Sequence, residues 1–138
     1  MEPLLGCGRW RPIRDEVNAI CKAAETVDGE TPGATLTAWL HRFFAFGTSK
    51  RHIASELLEH TDHSNPVFSE SRARVIAAAR PLLAAAQHAH EVRDDLTLAQ
   101  ILDMIIAIAM IHGDPRYLEP ILQTTLDGLQ PPTDVEPT

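Results

Sequence analysis

The side chains of this chain best equipped for chemistry are its histidines and the acids beside them. Seven histidines fall in 138 residues, and the stretch EHTDH sets Glu59, His60, Asp62 and His63 together. Its two rings are three residues apart, a spacing at which one helix face can share a metal ion. The stretch lies at an expected helix end beside Asn65-Pro66, and this many histidines produce chance neighbours. No metal site and no other cofactor is therefore expected. His88 and His90 of HAH fall on different faces of a helix. His52, His88 and His112 could each offer a polar group to a pocket, and each reads more simply as a surface or internally bonded ring. Asp94-Asp95 could serve as paired carboxylates, but the polar run EVRDD around them reads as a solvated turn. The chain has no glycine-rich phosphate loop, no Gly-x-Ser-x-Gly elbow and no His-Glu-x-x-His. An enzyme is not expected.

Trp39, Phe43 and Phe46 form the other notable constellation. At helical spacing they could line a pocket against Met104 and Ile108, since aromatics with a few polar groups are common pocket walls. The same five could equally fill a core, and both readings stand. Cys7 and Cys21 have no metal-type spacing, and Cys21 falls on an apolar stripe, as a buried thiol would.

The bulk numbers limit the classes. Hydrophobic residues make up 44% and charged residues 22%, the balance of one folded domain. Aromatics are only 5%, so the core must be mostly Leu, Ile and Ala, which favours helices. A formal net charge of −7, with Lys and Arg scattered, gives nucleic acid no basic face to grip. No secretion signal opens the chain, and the apolar run 98–112 is too short for a bilayer and carries Asp103. A cytoplasmic protein without membrane partners is expected.

Five to six helices must position these residues. Residues 1–13 show no period and read as irregular, 14–130 as one all-α domain, and 131–138 as a disordered tail. Val17, Ile20, Cys21, Ala24 and Val27 mark a first helix, which Gly29 ends. Thr31-Pro32 opens a second, with Leu36, Trp39, Leu40, Phe43, Phe46 and Gly47 on one stripe. Gly47-Thr48-Ser49 should kink or break it before Ile53, Leu57 and Leu58. A long helix from Phe68 to His90 carries Pro81, which should kink it. Thr97 caps the next helix, and Gly113 should end it in the left-handed conformation. Asp114-Pro115 opens the last helix, to about Leu129, with Pro120 making its first turn irregular.

The helix at 98–112 is apolar nearly all the way round. At about 100° per residue, Leu98, Leu102, Ile106 and Ala109 fall on one side and Ile101, Met104, Ile108 and Ile111 on the other. The arc covers roughly 220°, where a helix lying on a domain surface needs little more than roughly 100°. Either this helix is central in its own domain, or one side meets a second subunit. The last helix has an apolar arc of roughly 180° by the same wheel. Two such neighbours suit a two-fold four-helix dimer interface.

Three phrases carry a resemblance: TLTAWLHRFFAFGTSKRHIASELLEH, then ARVIAAARPLLAAAQHAHEVRDDLTLAQILDMIIAIA, then GDPRYLEPILQTTLDGL. Together they resemble the C-terminal domain of tetracycline-repressor-type (TetR) transcriptional regulators, over roughly residues 14–130. The closing Asp-Gly-Leu and the phrase EVRDDLTLAQIL are similar to the end of that domain and to the lead-in of its penultimate helix. The resemblance implies a homodimer joined through the last two helices, with Leu98, Leu102, Ile106, Leu118, Leu122 and Leu126 as the expected interface. It also implies a pocket for a small apolar or aromatic effector that alters the spacing of two DNA-binding heads. The family's head of roughly 45–50 residues contains a helix-turn-helix. Only 13 residues precede the first helix here, and MEPLLGCGRWRPI does not resemble such a head. Direct DNA binding by this chain as given is not expected. The alternative is a standalone helical protein that heterodimerises with full-length regulators or sequesters a ligand.

Overall fold

The computed structural model describes residues 15–50 and 66–131, and these form five helices and no strand. α1 covers residues 15–26, α2 Pro32–Ser49, α3 Pro66–His88, α4 Leu98–Ala109 and α5 Pro115–Asp127. The N-terminal segment expected to be irregular, the helix continuation expected at Ile53, Leu57 and Leu58, and the tail beyond Pro131 lie outside the described residues.

Local chemistry starts the helices where their capping residues stand. The Thr31 hydroxyl accepts from the Ala34 N–H at 3.1 Å, and Pro32 occupies the first turn, where its missing N–H costs nothing. At α4, Thr97 accepts from the Gln100 N–H at 3.1 Å while the Gln100 side chain accepts from the Thr97 N–H at 2.8 Å. This reciprocal box satisfies two donors that the helix itself leaves unpaired. Asp114 accepts from the Tyr117 N–H at 3.0 Å and begins α5.

α2 ends at Ser49 with Lys50 as its C-cap, so the helix breaks at Gly47-Thr48-Ser49 as expected, and Gly47 is buried in its last turn. A Cβ there would stand 2.8 Å from the Ala109 methyl, so the glycine also lets α2 and α4 approach closely. α3 continues through Pro81 and α5 through Pro120, and both prolines are exposed. Gly113 is not left-handed: α4 closes one residue after Ala109 on Met110 in ordinary right-handed geometry. What Gly113 provides is space, since a Cβ would meet the Tyr117 ring at 2.7 Å. Cys21 is half-buried rather than fully buried, its thiol donating to the Arg74 carbonyl at 3.6 Å.

α4 is the centre of the domain. It packs against α2, α3 and α5, and it buries Leu98, Ile101, Leu102, Ile105, Ile106, Ile108 and Ala109. These side chains point to both flanks of the helix, which accounts for most of its wide apolar arc within one protomer. Its single charge, Asp103, accepts from Arg72 of α3 at 3.0 Å. With side chains 12% and 30% exposed, this pair is better shielded than a surface bridge.

Candidate functional site

The aromatic constellation lies in the core. Trp39 stacks on Phe43 with ring centroids 5.4 Å apart, and Phe43 meets Phe46 at 6.0 Å with a tilt. Trp39 is 0% exposed, and its indole N–H donates to the Ile20 carbonyl at 3.0 Å, tying α2 to α1. Burial of such a ring requires a partner for its N–H. Ile108 is buried and Met104 half-buried. The cavity that Phe43 lines is shared with Arg72, Val75, Leu102 and Ile106, on the flank of α4 away from Met104 and Ile108. Its volume of about 10 Å³ is room for one water at most.

The six residues expected at the dimer interface are also inside the protomer. Leu98, Leu102, Ile106, Leu118, Leu122 and Leu126 are 1–6% exposed in the single chain. The single chain already covers these side chains, so they offer a second copy little further area. The α4–α5 hairpin has a second apolar face beside them: Tyr117 is 60% exposed, Ala107 is exposed, and Met104, Ile111 and Ile121 are half-buried. At 100° per residue, Met104 and Ala107 lie about 60° apart on α4 and Tyr117 and Ile121 about 40° apart on α5, with Ile111 just past the end of α4.

The spacious site is a cleft of about 910 Å³ between the start of α2 and the end of α5. α2 contributes Ala34, Thr37, Ala38 and His41. The α3–α4 connection contributes Glu91 and Val92, and the end of α5 contributes Gln123, Leu126, Asp127 and Leu129. Val92, Leu126 and Leu129 are buried and form an apolar floor, while Gln123, Asp127 and His41 stand at the exposed rim.

The α3–α4 connection holds this cleft in shape. α3 ends in a Schellman motif: the Glu91 N–H donates to the Ala86 carbonyl at 2.9 Å and the His90 N–H to Gln87 at 3.0 Å. His90 takes the left-handed position, with φ 61°, that such a motif needs. The turn delivers Glu91 to α2, where its carboxylate accepts the Gly33 N–H at 2.5 Å. A Cβ at Gly33 would stand 2.7 Å from that oxygen, so only glycine admits the bond without a shift. Arg93 secures the other wall: its backbone N–H donates to Leu129 at 2.7 Å and its guanidinium to the Gly128 carbonyl at 3.2 Å. The same guanidinium forks onto Asp95 at 2.6 and 2.9 Å, and this hydrogen bonding holds the Asp95 carboxyl below its usual range. Asp94 and Asp95 are both exposed, and Asp95 acts as the anchor of Arg93 rather than as half of a carboxylate dyad.

The remaining chemical candidates do not converge. His88 and His112 are exposed, and no group of three metal-ligating side chains forms among the described residues. Glu59, His60, Asp62, His63, His52 and Cys7 lie outside the described residues. Desolvation pushes the Cys21 thiol up, so it stays protonated and poorly nucleophilic. The cleft residues left no mark in the sequence: Glu91 and Asp127 are ordinary surface types 36 positions apart, and no period joins them.

Comparison with known proteins agrees with this architecture. Residues 31–131 match the family model described as the C-terminal domain of SbtR-like transcriptional regulators, a TetR-type domain. No curated protein and no solved structure matches the chain. No helix among the described residues is long and apolar enough to cross a membrane. The matched segment takes in α2 to α5, the central α4 and both walls of the cleft, and this chain belongs to the family of SbtR-like C-terminal domains of TetR-type transcriptional regulators.

Proposed function

We propose that this chain is the effector-binding and dimerisation part of a cytoplasmic TetR-type regulator. Two copies pair through the outer face of the α4–α5 hairpin, and the effector is a small molecule with an apolar or aromatic body. The observation that carries the pairing is Tyr117, a large ring of α5 left 60% exposed, with Ala107 exposed and Met104, Ile111 and Ile121 half-buried on the same hairpin. A family whose C-terminal domains pair supplies the occupant for that face, a second copy. The buried leucines behind it serve as the rigid backing of the interface. With a net charge of −7 these residues offer DNA no basic face, so reading an operator would fall to a separate head.

Sedimentation analysis of three proteins tests the pairing. The chain itself should sediment as a dimer. The double variant Ala107→Glu with Tyr117→Glu should keep its helical circular dichroism and dissociate, its dimer affinity falling about 100-fold or more because unpaired charges are buried. Leu122→Glu should instead unfold the protomer, since Leu122 is a fully buried part of its own core. A double variant that remains a dimer would place the interface on another face. A chain that is monomeric at all concentrations would remove the dimer from this reading.

A further inference from the structure

Resting on the effector-binding reading, we propose that the cleft between α2 and α5 takes a small organic cation: an ammonium group on an apolar or aromatic body, recognised by the carboxylates of Glu91 and Asp127. The size of the cleft, about 910 Å³, suits such a molecule, since ligand sites commonly hold roughly 300–1,000 Å³. Val92, Leu126 and Leu129 supply the apolar floor that its body needs.

The charge of the lining selects the head group. Among the described residues, two carboxylates line the cleft, its only basic side chain is the His41 imidazole, and no Lys or Arg lines it. Glu91 accepts the Gly33 N–H, and Asp127 accepts from the Gln123 amide at 2.9 Å. Each bond orients its carboxylate while filling one of about four lone-pair positions. The walls are thus rich in acceptors that are held in place. The apolar floor beside these carboxylates suits a cation with an organic body. The chain's own continuation from Pro131, PTDVEPT, would bring Asp134 and Glu136 to two carboxylates, and like charges make it a poor occupant. Since Glu91 also holds the first turn of α2, a cation drawing on that carboxylate would load the N-terminus of α2, linking occupancy to the position of a helix.

Isotope-labelled full chain is titrated with three probes of matched shape: phenethylammonium, 2-phenylethanol and 3-phenylpropionate, with amide NMR signals followed residue by residue. Phenethylammonium should move the signals of Gly33, Val92 and Asp127 and bind about fivefold or more tightly than the alcohol, and the carboxylate should not bind there. Glu91→Gln and Asp127→Asn keep their acceptors for Gly33 and Gln123, so the fold is retained. Each should weaken the ammonium about threefold to tenfold and leave the alcohol unchanged. Equal binding of all three probes, insensitivity to both substitutions, or ammonium shifts confined to other residues would overturn the proposal. If the ammonium fails while the alcohol binds elsewhere, as around Phe43, the cation site falls and the effector reading stands. If no probe binds anywhere, both fall.

Discussion

His90 shows how one residue can carry a structural task that its chemistry conceals. In the sequence it is half of HAH, whose two rings fall on different faces of a helix. In the fold it occupies the left-handed position of a helix terminus, with φ 61°, which side chains other than glycine adopt at a cost. His90→Gly should therefore stabilise the chain by about 1 kcal/mol, raising its melting temperature by about 3 °C. Thermal denaturation followed by circular dichroism checks this. A fall in melting temperature would mean that the ring makes a contribution larger than the backbone strain. Residues whose role depends on nearby backbone were legible beforehand: Thr31, Thr97 and Asp114 each cap a helix a few positions away. Glu91 was not, because its partner Gly33 is 58 positions distant. Asp103 was the visible oddity in an apolar helix, and its partner Arg72 was equally out of reach of any local pattern.

At the scale of the helix, burial spacing was readable, and the meaning of glycine and proline was not. The stripe from Leu36 to Gly47 is buried as its period requires. Gly47 reads as a breaker from local propensity and α2 does end two residues later, but only the neighbouring helix shows that it is also a point of close approach. Gly47→Val should therefore destabilise chiefly by overpacking against Ala109, by about 1–3 kcal/mol. Urea denaturation measures the loss. Pairing the substitution with Ala109→Gly should recover part of it, because that removes the methyl the new side chain meets. A failure of the pair to recover stability would assign the cost to helix propensity or to other neighbours. Pro81 and Pro120 lie outside the core: both are exposed, and each sits inside a helix that continues past it.

At the scale of the whole molecule, one short connection holds three helix ends together. From His90 to Thr97 it caps α2 through Glu91, closes α5 through Arg93 and starts α4 through Thr97. The cleft lies where the first two of these ends meet. If the α4–α5 hairpin pairs with a second copy, folding and association are linked, and mass action makes stability depend on protein concentration. The melting temperature should rise by several degrees over a hundredfold increase in concentration, and in the Ala107→Glu, Tyr117→Glu variant it should not. A concentration-independent melting temperature in the unmodified chain would contradict association through that face.

By itself the sequence determined that the protein is all-α, where its caps stand, which stripes are buried, and, through its phrases, the regulator family to which the C-terminal match assigns it. These follow from interactions within a few residues, which periodicity and propensity record directly. Only the tertiary structure decided how the wide arc of α4 is used. The wheel allowed a second subunit on one flank, but α2, α3 and α5 cover both flanks and leave a narrower outer face. Likewise, Trp39, Phe43 and Phe46 have the same spacing whether they line a pocket or fill a core. The bond from Trp39 to Ile20 and the tight cavity beside Phe43 show them packed in the core, while the roomy cleft forms among polar residues of distant segments. Which faces meet is set by the global arrangement of helices, and no local period encodes it.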